Sequence, residues 1–179
     1  GKQHIAELVS EQIKDGDSIM LDASSTAVYV AKTLLEQGKK NLTVLTNSVE
    51  IIIELFGAQD WKVFSTGGES REGSFALVGY QTDRMLRSYH VDKAIISAKG
   101  IDMNAGLTDS DDLHANNKRT MLTRAKDKIL AVDSSKFDQV AFAEIGSLDQ
   151  ITTIVTDAKP ETRWLQHFDK IGVKCIYPK

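Results

Sequence analysis

The chain has 179 residues, of which 41% are hydrophobic and 26% are charged, values typical of one globular domain with a full core. Its net charge of −3 argues against a nucleic-acid-binding surface, because such a surface concentrates lysine and arginine on one face. The single cysteine, Cys175, excludes an internal disulfide or a cysteine-based zinc site, and we expect it to be buried and inert. No signal peptide and no run of about 18 apolar residues is visible, so we expect a cytoplasmic protein that does not enter a membrane.

Short apolar runs alternate with amphipathic patterns along the chain, which predicts an α/β fold with a mostly parallel sheet and helices on both faces. The predicted helices cover residues 5–13, 27–38, 49–56, 79–86, 115–125 and 160–168. The predicted strands are residues 19–21, 42–46, 61–65, 93–97, 129–133, 153–156 and 173–176. In the third helix we expect a buried face made of Val49, Ile52, Ile53 and Phe56, and we expect residues 104–112 to form an irregular acidic loop.

The carboxyl ends of the predicted strands are followed by small, hydroxylated or charged residues. Ligands of open α/β sheets bind at these ends, near the point where the strand order reverses. The first strand ends at Asp22, and the next helix opens with free N–H groups and a positive dipole that favour an anion. The candidate ligand-binding residues are Asp22, Ser24, Ser25, Thr26, Thr46, Asn47, Gly67, Gly68, Arg71, Lys99, Gly100, Asp102 and Lys136.

These residue types suit a small phosphorylated sugar or polyol. Arg71, Lys99 and Lys136 offer cationic donors to a phosphate, whereas carboxylate and amide oxygens accept hydrogen bonds from sugar hydroxyls. Each residue alone has a simpler explanation, because Ser24 could only cap a helix, the glycines could only form a turn, and the cations could only be solvated. The case for a site rests on their convergence at one edge of the sheet.

The sequence contains no pattern of residues typical of a catalytic centre. It has no phosphate-binding Walker loop, no Gly-x-Ser-x-Gly nucleophile turn and no zinc-binding His-Glu-x-x-His motif. None of the four histidines has an acidic residue at a spacing typical of a catalytic or metal-binding pair; they are His4, His90, His114 and His167. The acidic run at residues 109–112 is expected to be solvated, so we predict no catalytic residue, no metal site and no cofactor.

A series of short motifs resembles the C-terminal sensor domain of the DeoR family of bacterial transcriptional repressors. The likeness covers nearly the whole chain and depends on the order and spacing of the motifs. They are Asp15-Gly16-Asp17, Asp22-Ala23-Ser24-Ser25-Thr26, Thr46-Asn47, Thr66-Gly67-Gly68 with Arg71, Gly79, Gly100-Ile101-Asp102, Gly106-Leu107-Thr108, Lys118-Arg119 with Met121, and Asp133-Ser134-Ser135-Lys136-Phe137.

This resemblance implies a sensor domain over residues 1–179 that is similar to ribose-5-phosphate isomerase and the CoA-transferase fold. It also implies a phosphorylated sugar or related metabolite as effector, and operator DNA bound through an N-terminal winged helix-turn-helix that lies outside this chain. For such a sensor module we expect a homo-oligomer, either a dimer or a tetramer. The chain departs from the family at Ser24, where glycine is common, and at His114 and Asn116, where glutamates are common.

Two other functions remain open from the sequence. A sugar-phosphate isomerase would need a carboxylate base and a donor to the enediolate, roles that Asp22 or Asp102 could share with Lys99. A dimerisation scaffold with a vestigial pocket would need none of these groups.

Overall fold

The computed structural model describes all residues from Gly1 to Lys179, and its centre is a sheet of seven parallel strands. Five further short strands pair outside this sheet. In chain order the strands are β1 (Ser18–Leu21), β2 (Thr43–Thr46), β3 (Lys62–Ser65), β4 (Glu69–Ser70), β5 (Leu77–Val78), β6 (Val91–Ile96), β7 (Gly100–Asp102), β8 (Gly106–Asp109), β9 (Ala125–Ala131), β10 (Ala143–Gly146), β11 (Thr153–Val155) and β12 (Lys174–Ile176).

The order of strands in the large sheet is β12-β11-β9-β6-β1-β2-β3. From β1 the chain moves outward through β2 to β3, then crosses back and continues from β6 to the opposite edge. The strand order therefore reverses between β1 and β6, which are paired from Ile19 and Lys93 to Leu21 and Ile95. In an open parallel sheet this reversal leaves a crevice at the carboxyl ends of the two strands.

Six helices cover the two faces of the sheet, as the alternation predicted. They are α1 (Lys2–Ser10), α2 (Ser25–Glu36), α3 (Val49–Leu55), α4 (Tyr80–Arg87), α5 (Asp112–Arg124) and α6 (Thr162–Ile171). Successive residues of β1 point to opposite faces, so Ile19 and Leu21 pack with α1 to α3 while Met20 packs with α4 to α6. A membrane-spanning helix would have to be longer and more apolar than any of the six.

The prediction of an irregular loop at residues 104–112 is wrong, because strand β8 lies within that range. Strand β8 pairs antiparallel with β7 and β10, and Gly106 makes the β7–β8 turn at a φ of 75°. The Asp102 carboxylate accepts hydrogen bonds from the backbone N–H groups of Asn104 and Ala105, at 2.9 and 2.8 Å, and so fixes the turn. An aspartate followed closely by a glycine is typical of a tight turn, so Asp102 and Gly106 could have indicated this hairpin.

The predicted buried face of α3 is also wrong. Ile51 and Leu55 are the buried residues, whereas the Ile53 and Phe56 side chains are 67% and 86% exposed. The helix ends at Leu55, and Phe56 has an extended backbone, so it no longer follows the helical repeat. Five apolar residues in so short a helix allow more than one buried face, and packing buries Ile51 and Leu55.

Cys175 lies half-buried in β12, and burial raises the pKa of its thiol to about 11. Since only the thiolate reacts with alkylating agents, we expect the native domain to be labelled by iodoacetamide at pH 8 about a hundredfold more slowly than an unperturbed thiol. Mass spectrometry of the native and urea-unfolded protein measures the two rates. Equal rates would show that the thiol is freely ionised in the fold.

Candidate functional site

The corner between β1 and α2 lies at the reversal of strand order. The backbone N–H groups of Ser24 and Ser97 donate to the Asp22 carboxylate, at 3.0 and 2.7 Å, so Asp22 joins the ends of β1 and β6. Ser24 caps α2 by accepting a hydrogen bond from the Ala27 N–H at 3.1 Å. The N-terminus of α2 is thus held beside a buried carboxylate.

A buried lysine on α5 links this corner to strand β8. The ammonium of Lys118 on α5 lies 2.6 Å from Asp109 Oδ2 and 3.6 Å from Asp22 Oδ2. Lys118 is 7% exposed and both aspartates are 1% exposed. Burial acts to raise the pKa of Asp109, but the charge and hydrogen bond of Lys118 outweigh it and hold that pKa below its usual range.

A cavity of about 390 Å³ opens over these residues at the carboxyl ends of the strands. Lys2, Lys99 and Lys136 line it, and the amino group of none of these three lies within 4 Å of a carboxylate. They come from α1, the segment after β6 and the segment after β9. Three unpaired cations and the N-terminus of α2 therefore face one cavity, an arrangement suited to a phosphate.

Two asparagines complete the wall on the side of the β4–β5 hairpin. The Nδ2 groups of Asn47 and Asn117 both donate to the Leu77 carbonyl oxygen, at 3.0 and 3.1 Å. Asn47 is 3% exposed, and its Oδ1 is a buried acceptor without a hydrogen-bond partner. The cavity thus combines unpaired cations with buried amide and carboxylate acceptors.

The structure brings part of the predicted set together at this cavity. The residues that line it are Asp22, Ser24, Ser25, Thr26, Asn47, Lys99 and Lys136. The residues that lie away from it are Thr46, Gly67, Gly68, Arg71, Gly100 and Asp102.

Four of the residues outside the cavity have a local structural role. Thr46 Oγ1 accepts a hydrogen bond from the Ser48 N–H at 3.0 Å, and Asp102 fixes the β7–β8 turn. A Cβ on Gly100 would lie 2.3 Å from the Gln139 carbonyl oxygen. Arg71 forms an ion pair with Asp111, the N-cap of α5, at 2.6 Å, and thereby ties the β4–β5 hairpin to that helix.

The two adjacent glycines differ in what surrounds them. A Cβ on Gly68 would lie 2.0 Å from Thr82 Oγ1 and 2.8 Å from the Val78 carbonyl oxygen, whereas a Cβ on Gly67 meets nothing within 4 Å. Both have positive φ, of 118° and 63°. We expect Gly68→Ala to destabilise the domain by about 1–3 kcal/mol more than Gly67→Ala in urea unfolding, because only Gly68 adds overpacking to backbone strain. Equal losses would contradict this.

Several residues of the cavity lie outside the set expected from the sequence. Lys118 was detectable as a lone charge within the apolar repeat of α5, but no local pattern identified its two carboxylate partners. Asp109 was assigned to a solvated acidic run, and Lys2 lies far from the strand ends in sequence. The lining residues outside the predicted set are Lys2, Ala23, Gly73, Ser74, Ser97, Ala98, Asp109, Ser110, His114, Asn117, Lys118 and Asp133.

Comparison with known proteins places the chain among bacterial regulators. The family model described as the DeoR C terminal sensor domain matches residues 1–158. The chain is 40% identical over 157 residues to the uncharacterized HTH-type transcriptional regulator YulB of Bacillus subtilis, covering 88% of this chain and 60% of that protein. It is 30% identical over 165 residues to the glycerol-3-phosphate regulon repressor of Escherichia coli, covering 92% of this chain and 65% of that protein. The chain thus spans less than two thirds of the length of these relatives.

Among solved structures, the chain is similar to ribose 5-phosphate isomerase A from Methanocaldococcus jannaschii. The TM-score is 0.54 at 18% sequence identity, and the match covers 76% of this chain and 53% of that one. This likeness shows a shared fold, in agreement with the parallel sheet expected from the sequence.

Proposed function

Because the chain belongs to the family of DeoR C-terminal sensor domains, we propose that its cavity binds a phosphorylated sugar or sugar alcohol as the effector of a transcriptional regulator. The effector would modulate the binding of operator DNA by a separate helix-turn-helix part of the whole protein. Residues 1–179 would act as one sensor unit, without catalysis and as part of a homo-oligomer.

The observation that carries this proposal is the presence of two kinds of polar group in one cavity. Lys2, Lys99 and Lys136 have no carboxylate partner, so their charges are available to a phosphate. The buried acceptors Asp22, Asp109 and Asn47 line the same cavity, and acceptors of this kind suit hydroxyl groups. A phosphorylated polyol matches both kinds of group, and its phosphate would lie at the N-terminus of α2.

Regulation requires only that the effector bind one arrangement of the protein better than another. A coupling free energy of ~1–3 kcal/mol would change operator affinity about 5- to 150-fold. The relative from Escherichia coli is named as the repressor of a glycerol-3-phosphate regulon. That name supports a link between this domain family and the regulated use of a small phosphorylated compound.

Titration calorimetry tests the proposal with glycerol 3-phosphate, ribose 5-phosphate, glucose 6-phosphate and fructose 1-phosphate, each beside its unphosphorylated parent. We expect heat of binding with at least one phosphorylated member and none with its parent. Equal heats for both members of every pair would show that the lysines do not bind the phosphate group. No heat for any compound would favour the scaffold function.

An isomerase on the same fold is a second candidate, supported by the structural likeness to ribose 5-phosphate isomerase. Its proposed base Asp102 lies outside the cavity, and the remaining Asp22 is held by Ser24, Ser97 and Lys118. A carboxylate so restrained is poorly placed to move a substrate proton. Turnover of ribose 5-phosphate by the purified domain, lost in Asp22→Asn, would establish the enzyme instead.

A further inference from the structure

The cavity brings together charged groups from two elements that are far apart in sequence. Lys2 is the first residue of α1, and Lys136 ends the short 3-10 turn Ser134–Lys136 that follows β9. Both line the cavity, together with Asp133. Burial acts to raise the pKa of Asp133, but its hydrogen bonds from Ser135 and the charges of Lys136 and Lys2 hold that pKa below its usual range. The two lysines therefore lie close enough to Asp133 to act on the same carboxylate.

The backbone that carries Lys136 is firmly held. The Ser134 N–H donates to Asp157 Oδ1 at 2.7 Å, and the Ser135 N–H donates to Asp133 Oδ1 at 2.9 Å. The first of these bonds ties the turn to the segment that follows β11. The backbone of Lys136 is therefore a fixed part of the cavity wall.

The first turn of α1, which carries Lys2, is held less firmly. Its N-cap is Gly1, which has no side chain to bond the free N–H groups, and the turn has no acidic residue to balance the helix dipole. The residues before Ile5 are all exposed, and the Gln3 side chain makes one long hydrogen bond of 3.4 Å with Thr33 on α2. Ile5 itself is fully buried. We therefore expect the first turn to open locally while the rest of α1 stays packed.

We propose that Lys2 transmits occupancy of the cavity to α1: a phosphate bound beside Lys136 attracts the Lys2 ammonium, and the first turn of α1 becomes ordered. The inference rests on the proposed function and deepens it, because regulation needs a part of the domain whose arrangement depends on the effector. A phosphate between two unpaired cations relieves their repulsion and is attracted by both. Ordering of the turn and binding of the effector then favour each other.

Amide hydrogen exchange of the Ile5 N–H, measured by NMR, follows the order of this turn, because that N–H closes the turn by donating to the Gly1 carbonyl at 3.2 Å. We expect its exchange to slow about tenfold when the domain is saturated with a phosphorylated compound of the panel above. The matched control is the Leu165 N–H, which closes the first turn of α6 by donating to Glu161 at 3.1 Å. That turn also lacks a side-chain cap and lies outside the cavity, so its exchange should not change.

Three substitutions separate the transmitting role of Lys2 from simple binding. Lys2→Gln should weaken binding only about 3- to 10-fold, since Lys2 is exposed and screened by solvent, but at saturation it should lose the slowing at Ile5. Lys99→Gln removes another cavity lysine, so it should weaken binding and yet keep the slowing at saturation. His4→Gln alters an exposed residue of the same turn outside the cavity and should behave as wild type.

Three results would overturn the inference while leaving the proposed function intact. The first is a phosphorylated compound that binds without slowing exchange at Ile5. The second is a slowing that survives in saturated Lys2→Gln, and the third is an equal slowing at Ile5 and Leu165, which would assign the effect to stabilisation of the whole domain. If wild type binds no phosphorylated member of the panel, the proposed function itself fails and this inference fails with it.

Discussion

Replacing Lys118 by methionine is expected to destabilise the domain by about 3–5 kcal/mol, because two carboxylates would stay buried without a cation. Asp109 and Asp22 are both 1% exposed, and Lys118 is the lysine placed between them. Urea unfolding followed by circular dichroism measures the loss. Lys32→Met is the matched control, since Lys32 pairs with Glu54 at the surface and should change stability by less than about 0.5 kcal/mol. Similar losses in both variants would contradict the role given to Lys118.

The same pair predicts how the effect depends on pH. The pKa of Asp109 in the folded protein is held below its usual range. A lowered pKa adds stability at pH values above the unfolded pKa, near 4, and that stability is lost as the pH falls through the folded value. The difference between wild type and Lys118→Met should therefore narrow as the pH is lowered below about 4. A difference that stays constant down to pH 3 would assign the loss to packing instead.

Replacing Lys136 by glutamine is expected to weaken binding of a phosphorylated effector about 10- to 100-fold, the ~1.5–3 kcal/mol of a hydrogen bond to a charged group. Lys136 lines the cavity without a carboxylate partner, so its removal should leave the stability of the unliganded domain nearly unchanged. Calorimetry at two salt concentrations measures the affinity and its ionic component. Lys14→Gln, on the surface outside the cavity, is the control. Unchanged affinity in Lys136→Gln would show that Lys136 does not bind the phosphate.

The fold was predictable because its signals are local. Each strand of the large sheet is a short apolar run, and each covering helix shows its own repeat. The errors occur where a local pattern allowed two outcomes. The α3 sequence could bury either Ile53 or Ile51, and the stretch after Asp102 could form a loop or a hairpin. Packing against neighbouring elements decided both, and that information lies elsewhere in the chain.

The candidate site was predictable only at the strand ends. Position after a parallel strand places Asp22, Asn47 and Lys99 at one edge of the sheet, and the structure puts all three around the cavity. Lys2 and Lys118 come from helices, so only the packing of those helices brings them to the site. A glycine or arginine that follows a strand can serve either a ligand site or the local structure. Arg71 serves the local structure, because it pairs with Asp111 outside the cavity.

A thermal-shift screen of the domain against the four phosphorylated compounds and their parents is the most direct test of whether the cavity binds a phosphorylated effector. Ligand at 100 times its dissociation constant should stabilise the fold by ~2.7 kcal/mol, a shift of several degrees. We expect at least one phosphorylated compound to raise the melting temperature while its parent does not, and we expect Lys136→Gln to lose this shift. Equal shifts with a phosphorylated compound and its parent, or an undiminished shift in Lys136→Gln, would contradict this expectation.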